Sequence, residues 1–278
     1  MNPLAMHPFD QAMRLEAAGG AQAGTWLGAT SPAYGNMVGP FGGTTAATAL
    51  QAILLHPDLL GQPVALTVNY AAALAAGPFR IAATPVRTNR STQHWTVTLT
   101  QADPSGADSV AMTATAVTAV RRETWGGDEL PMPDVTMDKA LPRLMLSTPE
   151  WTRRYDMRVV HRMVPQAWDG RESDSLTQLW LRDDPPRALD FPALAALCDA
   201  FYPRVWLRRA TRVPAGTVSI TTYFHASSAA LAEVGDGYLF AQARGQAFRN
   251  GFFDQSAQLW NEAGHLLATS HQVVYYKE

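Results

Sequence analysis

The chain contains several residues of types that perform chemistry in enzymes, but few of them occur at a spacing typical of a known site. There is no Gly-x-Ser-x-Gly motif, so the serine nucleophile of an α/β-hydrolase is missing. The seven histidines show no metal-ligand spacing such as His-Glu-x-x-His, and we predict no metal site. The single cysteine, Cys198, is more typical of a small buried hydrophobic residue than of a thiol nucleophile.

Three polar residues of the second half, Asp199, Thr217 and Gln272, stay open as candidates. On a helical wheel Asp199 falls away from the apolar stripe of its predicted helix, and such a residue is most often a solvated aspartate. Thr217 alternates with Val218 and Ile220, which predicts that it points to the opposite face of its strand, where threonine is commonly just a good β-former. Gln272 fits a hydrogen-bonding residue at a sheet edge equally well.

Composition and charge describe an ordinary globular chain of 278 residues. Its 22 Lys and Arg nearly balance its 24 Asp and Glu, which favours neither nucleic acid nor an anionic membrane as a partner. The segment from Met1 to Asp10 has no basic or apolar region typical of a signal peptide, and no stretch is apolar enough to span a bilayer. A single cysteine excludes an internal disulfide framework. We therefore predict a cytoplasmic protein.

The first half reads as a helix followed by strands. Glycines and a proline precede a run from Thr44 to His56 whose apolar residues recur at helical spacing, and Pro57 marks its end. The runs Val64–Tyr70 and Trp95–Thr100 alternate with a period of two, which predicts strands with one buried face. A turn at Asp103-Pro104-Ser105-Gly106 leads into another strand from Ser109 to Val120.

The second half repeats this order after a segment rich in glycine and proline. Strands are predicted at Tyr155–Val164 and Leu176–Leu181, and a helix follows with Asp190 as its N-cap. The alternating run Thr217–Phe224 predicts the next strand. The last predicted strands cover three ranges: Gly237–Phe248, Ser256–Trp260 and His265–Tyr276.

The repeated order indicates an α+β protein made of two similar halves. Residues 1–120 would form the N-terminal half, 121–154 a linker and 155–278 the C-terminal half. A helix on one face of an antiparallel sheet leaves other surfaces uncovered, so the two layers are expected to pair.

These elements resemble the hotdog fold, in which a sheet wraps a central helix, and specifically the fused acyl-CoA thioesterase II family with its thioesterase-like relatives. The resemblance covers the chain from Gly24 to Lys277 and implies a double hotdog, two antiparallel sheets each wrapping a central helix. It is carried by the order and spacing of four segments: Phe41-Gly42-Gly43, Leu197-Cys198-Asp199-Ala200-Phe201, Thr217 to His225, and Leu267-Ala268-Thr269-Ser270-His271-Gln272.

The resemblance also implies a site. In that family an Asp, a Thr and a Gln of the second half hold and activate a water, and the matching residues here are Asp199, Thr217 and Gln272. Asp199 would be the general base and the other two would orient the water. Backbone N–H groups at a helix start would polarise the thioester carbonyl, and Gly42 and Gly43 are the candidates for this oxyanion- and substrate-binding role. No cofactor is implied.

Comparison of the halves predicts one such site per chain. The first helix, Gly42 to His56, contains no carboxylate, Val64 stands at the position equivalent to Thr217, and Thr115 stands at that of Gln272. Four arginines lie near the second helix: Arg204, Arg208, Arg209 and Arg212. They could contact the phosphates of coenzyme A, but we favour the interpretation that they form a solvated basic helix end.

The favoured function is hydrolysis of an acyl-CoA to a free acid and coenzyme A by an Asp-activated water. The alternative is a non-catalytic hotdog protein that binds an acyl-CoA or another hydrophobic ligand. A hotdog hydratase is less favoured, since no Asp-x-x-x-x-His pair occurs at a helix start. We also expect a homo-oligomer, because hotdog pairs commonly associate further.

Overall fold

Small residues let the helix of the first half pack closely against the helix of the second. The computed structural model describes residues 6–19, 23–103, 105–162, 173–209 and 211–278. Pro104 of the predicted turn and Val164 at the end of a predicted strand lie outside the described residues. The described elements of the first half are α1 (Pro8–Ala12), β1 (Glu16–Ala17), β2 (Thr25–Ala29), a 3₁₀ turn (Pro32–Tyr34), α2 (Gly42–Leu54), β3 (Gln62–Tyr70), β4 (Pro78–Thr88), β5 (Thr92–Ala102) and β6 (Asp108–Ala119).

The second half follows the same plan with additional short elements. They are a 3₁₀ turn (Glu150–Arg154), β7 (Tyr155–His161), β8 (Thr177–Asp183), α3 (Phe191–Leu197), α4 (Val205–Arg208), β9 (Ala215–Phe224), α5 (Ser228–Val234), β10 (Leu239–Arg244), β11 (Phe248–Arg249), β12 (Phe252–Trp260) and β13 (Leu266–Tyr276). The strand expected at Gly237–Phe248 is thus divided, because Gly245 and Gln246 turn the chain between β10 and β11.

Helix α2 is buried around almost its whole circumference, which explains its composition. The buried residues of α2 are mostly Ala and Thr, and α3 packs directly against this helix, with the carbonyl of Ala196 close to Gly43. The hydroxyls of Thr44 and Thr48 donate to carbonyls one turn earlier, so these polar groups are satisfied inside the helix.

Every strand pairing in the described chain is antiparallel, and the pairings join into one sheet. Its order is β1-β2-β4-β5-β6-β3-β9-β13-β12-β10-β8-β7, with β11 beside β12. The halves meet where β3 pairs with β9, from Ala65 opposite Tyr223 to Asn69 opposite Ser219. The two separate sheets expected from the sequence are therefore continuous. Pairing β3 with β9 satisfies backbone groups that two free edges would leave open.

One prediction around the second helix is wrong, and another is wrong for Arg204 alone, since Arg208, Arg209 and Arg212 are exposed as expected. Helix α3 ends at Leu197, so Asp199 lies in the turn that follows rather than on the helix. Pro203 follows within a few residues, and a proline disfavours helical backbone in the residue before it. Arg204 is 0% exposed, not part of a solvated helix end; its guanidinium donates to the carbonyls of Ser175 and Tyr202 and to the hydroxyl of Thr177.

The segment between the halves packs against the core. Its first residue, Arg121, donates to the carbonyls of Pro63 and Phe224, one at each side of the junction between β3 and β9. Leu144 and Trp151 are buried in the main hydrophobic core. The division into halves 1–120 and 155–278 with a linker at 121–154 stays a prediction, and the structure adds that residues of this linker also cover part of the core. None of the described helices combines the length and the apolar sequence needed to cross a membrane.

Candidate active site

Asp199 is a buried carboxylate held by residues from both halves of the chain. It is 8% exposed, which rules out the solvated aspartate suggested by its position on a helical wheel. Gln272 Nε2 donates to Asp199 Oδ1 over 3.2 Å, and the backbone N–H of Gly43 also donates to the carboxylate. Because Gly43 lies in the first turn of α2, the site joins α2 in one half to the turn after α3 in the other.

A β-bulge brings Thr217 to the same site. The register between β9 and β13 shifts so that Gln272 lies opposite Ile220 while Val274 lies opposite Thr217, which leaves Val218 unpaired and exposed. Thr217 therefore shares the inner face with Ile220, and the prediction from simple alternation was wrong on this point. Bulges commonly re-aim a side chain beside a functional site in this way.

Gln272 connects the other two residues through its two amide atoms. Its Oε1 accepts a hydrogen bond from Thr217 Oγ1 at 2.9 Å, which leaves its Nε2 facing Asp199. Strand β13 lies between β9 and β12, so Gln272 is an inner residue of the sheet and not an edge residue. The structure thus brings Asp199, Thr217 and Gln272 into one hydrogen-bonded chain.

The start of α2 lies close to these three hydrogen-bonded side chains because the helix begins with two glycines. A Cβ atom on Gly42 would lie 2.8 Å from Asp199 Oδ2, and one on Gly43 would lie 2.6 Å from the carbonyl oxygen of Ala196. The hydroxyl of Tyr70, at the end of β3, donates to the Gly42 carbonyl at 2.8 Å. Sequence reasoning did not select Tyr70; an aromatic residue at a strand end is too common to be a signal.

Burial dominates the electrostatics of Asp199. It raises the pKa of the carboxyl from its ordinary 3.8 to about 7, and the hydrogen bonds from Gln272 and Gly43 lower the pKa only in part. Burial, and next the charge of Asp199, raise the pKa of Tyr70 well above its usual value. A carboxyl with a pKa of about 7 is close to the value that suits a general base at neutral pH.

Two cavities meet at Asp199 and Thr217. The inner cavity, about 110 Å³, is bounded mainly by buried apolar and aromatic side chains, among them Phe41, Trp151 and Met157. The outer cavity, about 640 Å³, runs past Gly42 and Tyr70 and is bordered by more exposed residues such as Val38. Asp199 therefore stands at the junction of a narrow apolar space and a wider open one.

Residues before β7 form one wall of the inner cavity, which the sequence did not predict. The ring of Trp151 stacks on Phe41 with centroids 4.2 Å apart and an interplanar angle of 10°. Leu144 and Leu146 line the same space. Prolines and glycines obscure regular periodicity here, and the available signal was the isolated tryptophan and leucines within the irregular segment.

Cys198 is next to Asp199 but is chemically isolated from the cavities. It is fully buried and is not among the residues that line either cavity, and burial raises the pKa of its thiol to about 12. Among the described residues no group of three or more His, Cys, Asp or Glu side chains is placed to hold a metal ion.

Comparison with solved structures gives the class of the fold. A conserved protein of unknown function with a hotdog fold from Alicyclobacillus acidocaldarius is 45% identical, with 99% of each chain covered and a TM-score of 0.90. A putative thioesterase II from Thermobifida fusca is 21% identical over 99% of each chain, with a TM-score of 0.81. The acyl-CoA thioesterase II TesB2 from Mycobacterium marinum is 17% identical over 97% of this chain and 98% of that chain, with a TM-score of 0.74. The chain has a hotdog fold.

Family comparison then identifies the chain more closely. Residues 31–119 match the acyl-CoA thioesterase N-terminal domain, and residues 127–276 match the acyl-CoA thioesterase C-terminal domain. The chain therefore belongs to the acyl-CoA thioesterase family, a family of thioester hydrolases. The search of curated proteins finds no match.

Proposed function

We propose that this protein hydrolyses an acyl-CoA to a free acid and coenzyme A, with water as the nucleophile and Asp199 as the general base. The observation that carries the proposal is the position of Asp199, which is buried where the two cavities meet. Its carboxylate accepts hydrogen bonds from Gln272 and Gly43. A base that removes a proton from water must lie next to the space in which the substrate carbonyl is held.

In the proposed reaction, Asp199 removes a proton from a water as its oxygen attacks the thioester carbon. Thr217 and Gln272 keep the carboxylate and the water in position through their hydrogen bonds. The tetrahedral intermediate then breaks the carbon–sulfur bond, and the proton held by Asp199 passes to the departing sulfur. The products are a carboxylic acid and the free thiol of coenzyme A.

The oxyanion of the intermediate requires hydrogen-bond donors, and the start of α2 offers them. The first N–H groups of a helix have no partner within the helix and lie at the positive end of its dipole. Since the N–H of Gly43 already donates to Asp199, we assign Gly43 to holding the base and the N–H of Gly42 to the oxyanion. A side chain at Gly42 would collide with Asp199, so only glycine lets this N–H lie next to the base.

The two cavities suggest how the substrate lies. We place the acyl group in the inner cavity, whose walls are mainly apolar, and the pantetheine arm in the wider outer cavity. The thioester carbonyl then falls at their junction, beside Asp199. A cavity of about 150 Å³ holds a benzene molecule, so an inner space of about 110 Å³ favours a short acyl group.

The experiment is thiol release from a panel of acyl-CoAs by the wild type and by Asp199→Asn. We expect turnover that falls at least ~100-fold in the variant, the scale of losing a general base. Asp183→Asn is the matched control, because Asp183 is also buried with a pKa raised to about 7 but does not line either cavity. The control should retain its activity.

The outcomes separate the proposal from the alternative. Tight acyl-CoA binding by a folded wild type that hydrolyses no member of the panel would favour the non-catalytic binding protein. Equal activity of Asp199→Asn and the wild type would show that another group is the base. The cytoplasmic location and the homo-oligomeric state stay predictions from the sequence.

A further inference from the structure

The inner cavity contains a second glutamine, Gln255, which the proposed hydrolysis does not use. Gln255 lies on β12 directly opposite Gln272 on β13, and both line the inner cavity. Residues directly opposite on paired strands have Cβ atoms about 4.5–5.5 Å apart. Gln255 therefore lies one strand further from Asp199 than Gln272 does, in the cavity that we assign to the acyl group.

The surroundings of Gln255 make a polar side chain unexpected. The inward residues of β12 on either side of it, Phe253, Ala257 and Leu259, are all buried and apolar. Gln255 itself is 2% exposed. A leucine or methionine of similar size would suit this row without the cost of removing an amide from water.

The amide of Gln255 differs from that of Gln272 in its hydrogen bonds. Gln272 uses both amide atoms, one with Thr217 and one with Asp199. Within the described part of the chain, the Nε2 of Gln255 is buried and has no hydrogen-bond partner. Leaving a buried donor without a partner destabilises the protein, so a buried amide of this kind that lines a cavity needs an explanation, and a ligand atom in that cavity would supply one.

We propose that Gln255 selects acyl groups that carry an oxygen substituent a few bonds from the thioester, such as a 3-hydroxy or 3-oxo group. This inference rests on the proposed thioesterase function, and it names the substrate class of the same site. The apolar walls still hold the carbon chain, and the small volume keeps the chain short. The Gln255 carboxamide donates an N–H to the substituent oxygen, which gives the buried Nε2 a hydrogen-bond partner.

The test compares four substrates of equal length: butanoyl-CoA, the two enantiomers of 3-hydroxybutanoyl-CoA, and 3-oxobutanoyl-CoA. We expect the wild type to show a higher kcat/KM for at least one oxygenated substrate than for butanoyl-CoA. In Gln255→Leu this preference ratio should fall roughly tenfold, the scale of one lost hydrogen bond. Gln255→Met is a second apolar variant of similar length, and thermal unfolding checks that each variant is folded.

Gln258→Leu is the matched control on the same strand. Gln258 lies on the other face of β12, where its Oε1 accepts from Gln242, and it does not line the inner cavity. Its preference ratio should equal that of the wild type. A wild type that prefers butanoyl-CoA would overturn this inference, and so would a preference ratio that is unchanged in Gln255→Leu. Neither result would contradict the proposed thioesterase function. Failure of the wild type to hydrolyse any thioester would overturn both.

Discussion

The carboxyl group of Asp199 is held in place by hydrogen bonds, and its environment sets its pKa close to neutral pH. Burial favours the neutral acid, while Gln272 and Gly43 favour the carboxylate, and the balance gives a pKa of about 7. A base with this pKa is about half ionised at neutral pH. Its reactivity is therefore tied to the pH range in which it works.

We expect kcat/KM to rise with pH through a midpoint near 7 and to level off above it, because only the ionised Asp199 removes a proton from water. The measurement is initial-rate kinetics with a short acyl-CoA from pH 5 to about pH 9. Asp183→Asn should keep the same midpoint, since Asp183 lies outside both cavities. A flat profile in both proteins would contradict the assignment of Asp199 as base.

The same shift affects stability. The unfolded chain releases the Asp199 proton near its ordinary pKa of 3.8, whereas the folded chain retains it to about 7. Between these values the folded state binds more protons, so this group's contribution to the free energy of unfolding decreases as pH rises from about 4 to about 7. The wild type loses this contribution as pH rises, whereas Asp199→Asn has no such group to titrate. We therefore expect the difference in melting temperature, variant minus wild type, to be larger at pH 8 than at about pH 4 when measured by calorimetry. A constant difference across this range would argue against the raised pKa.

At the scale of elements, the irregular segment before β7 determines the depth of the inner cavity. Trp151 closes this wall by stacking on Phe41, and its indole N–H donates to Asn36 at 3.3 Å. Removing the ring would lengthen the apolar space without touching Asp199.

We expect Trp151→Leu to shift the preference among straight-chain acyl-CoAs toward longer chains, because the cavity gains room where the indole was. Thiol-release rates across a chain-length series measure the shift. Trp125→Leu is the control, since Trp125 lies in the same segment but is 89% exposed. An unchanged chain-length optimum in folded Trp151→Leu would place the acyl group elsewhere.

Local sequence patterns predicted the elements better than the site. Alternation located β3, β5 and β9, and helical spacing of apolar residues located most of α2. Strand β4 and helix α5 were missed, although Phe79, Ile81 and Ala83 alternate and Ser227 caps α5. Pro78 and Pro85 obscured the first pattern and the shortness of α5 obscured the second.

The geometry of the site depends on features that local periodicity does not carry. A single extra residue in β9 reverses the direction in which Thr217 points, and alternation assumes that no such residue exists. Asp199 is buried because the first half covers it, which no pattern in its own segment records. Only the family resemblance brought Asp199, Thr217 and Gln272 together before the fold was known.

At the scale of the whole molecule, the pairing of β3 with β9 makes the halves one sheet. Arg121 reinforces this junction by donating to the carbonyls of Pro63 and Phe224 at 2.7 and 2.8 Å. The hydroxyls of Thr67 and Thr221 add a contact across it at 2.9 Å. Because the site takes Gly42 from one half and Asp199 from the other, this junction also maintains the distance between base and helix start.

We expect Arg121→Ala to lower the free energy of unfolding by roughly 1 kcal/mol, because two partly buried carbonyl groups lose a charged donor. Both halves should still unfold in one transition. Urea unfolding followed by fluorescence and by circular dichroism measures both effects. Arg122→Ala is the control, as Arg122 is exposed. Two separated transitions in the wild type would show that the halves are energetically independent.

The junction between β3 and β9 has a consequence for how the protein is made. Strand β3 leaves the ribosome long before Ala215, where β9 begins, has been added. At about 5–20 residues per second the delay is on the order of ten seconds, during which the nascent first half has an unpaired strand edge. An open edge is a template for pairing with other chains. Until β9 has been synthesised, the edge of β3 that it will cover therefore stays open to pairing with strands of other nascent chains.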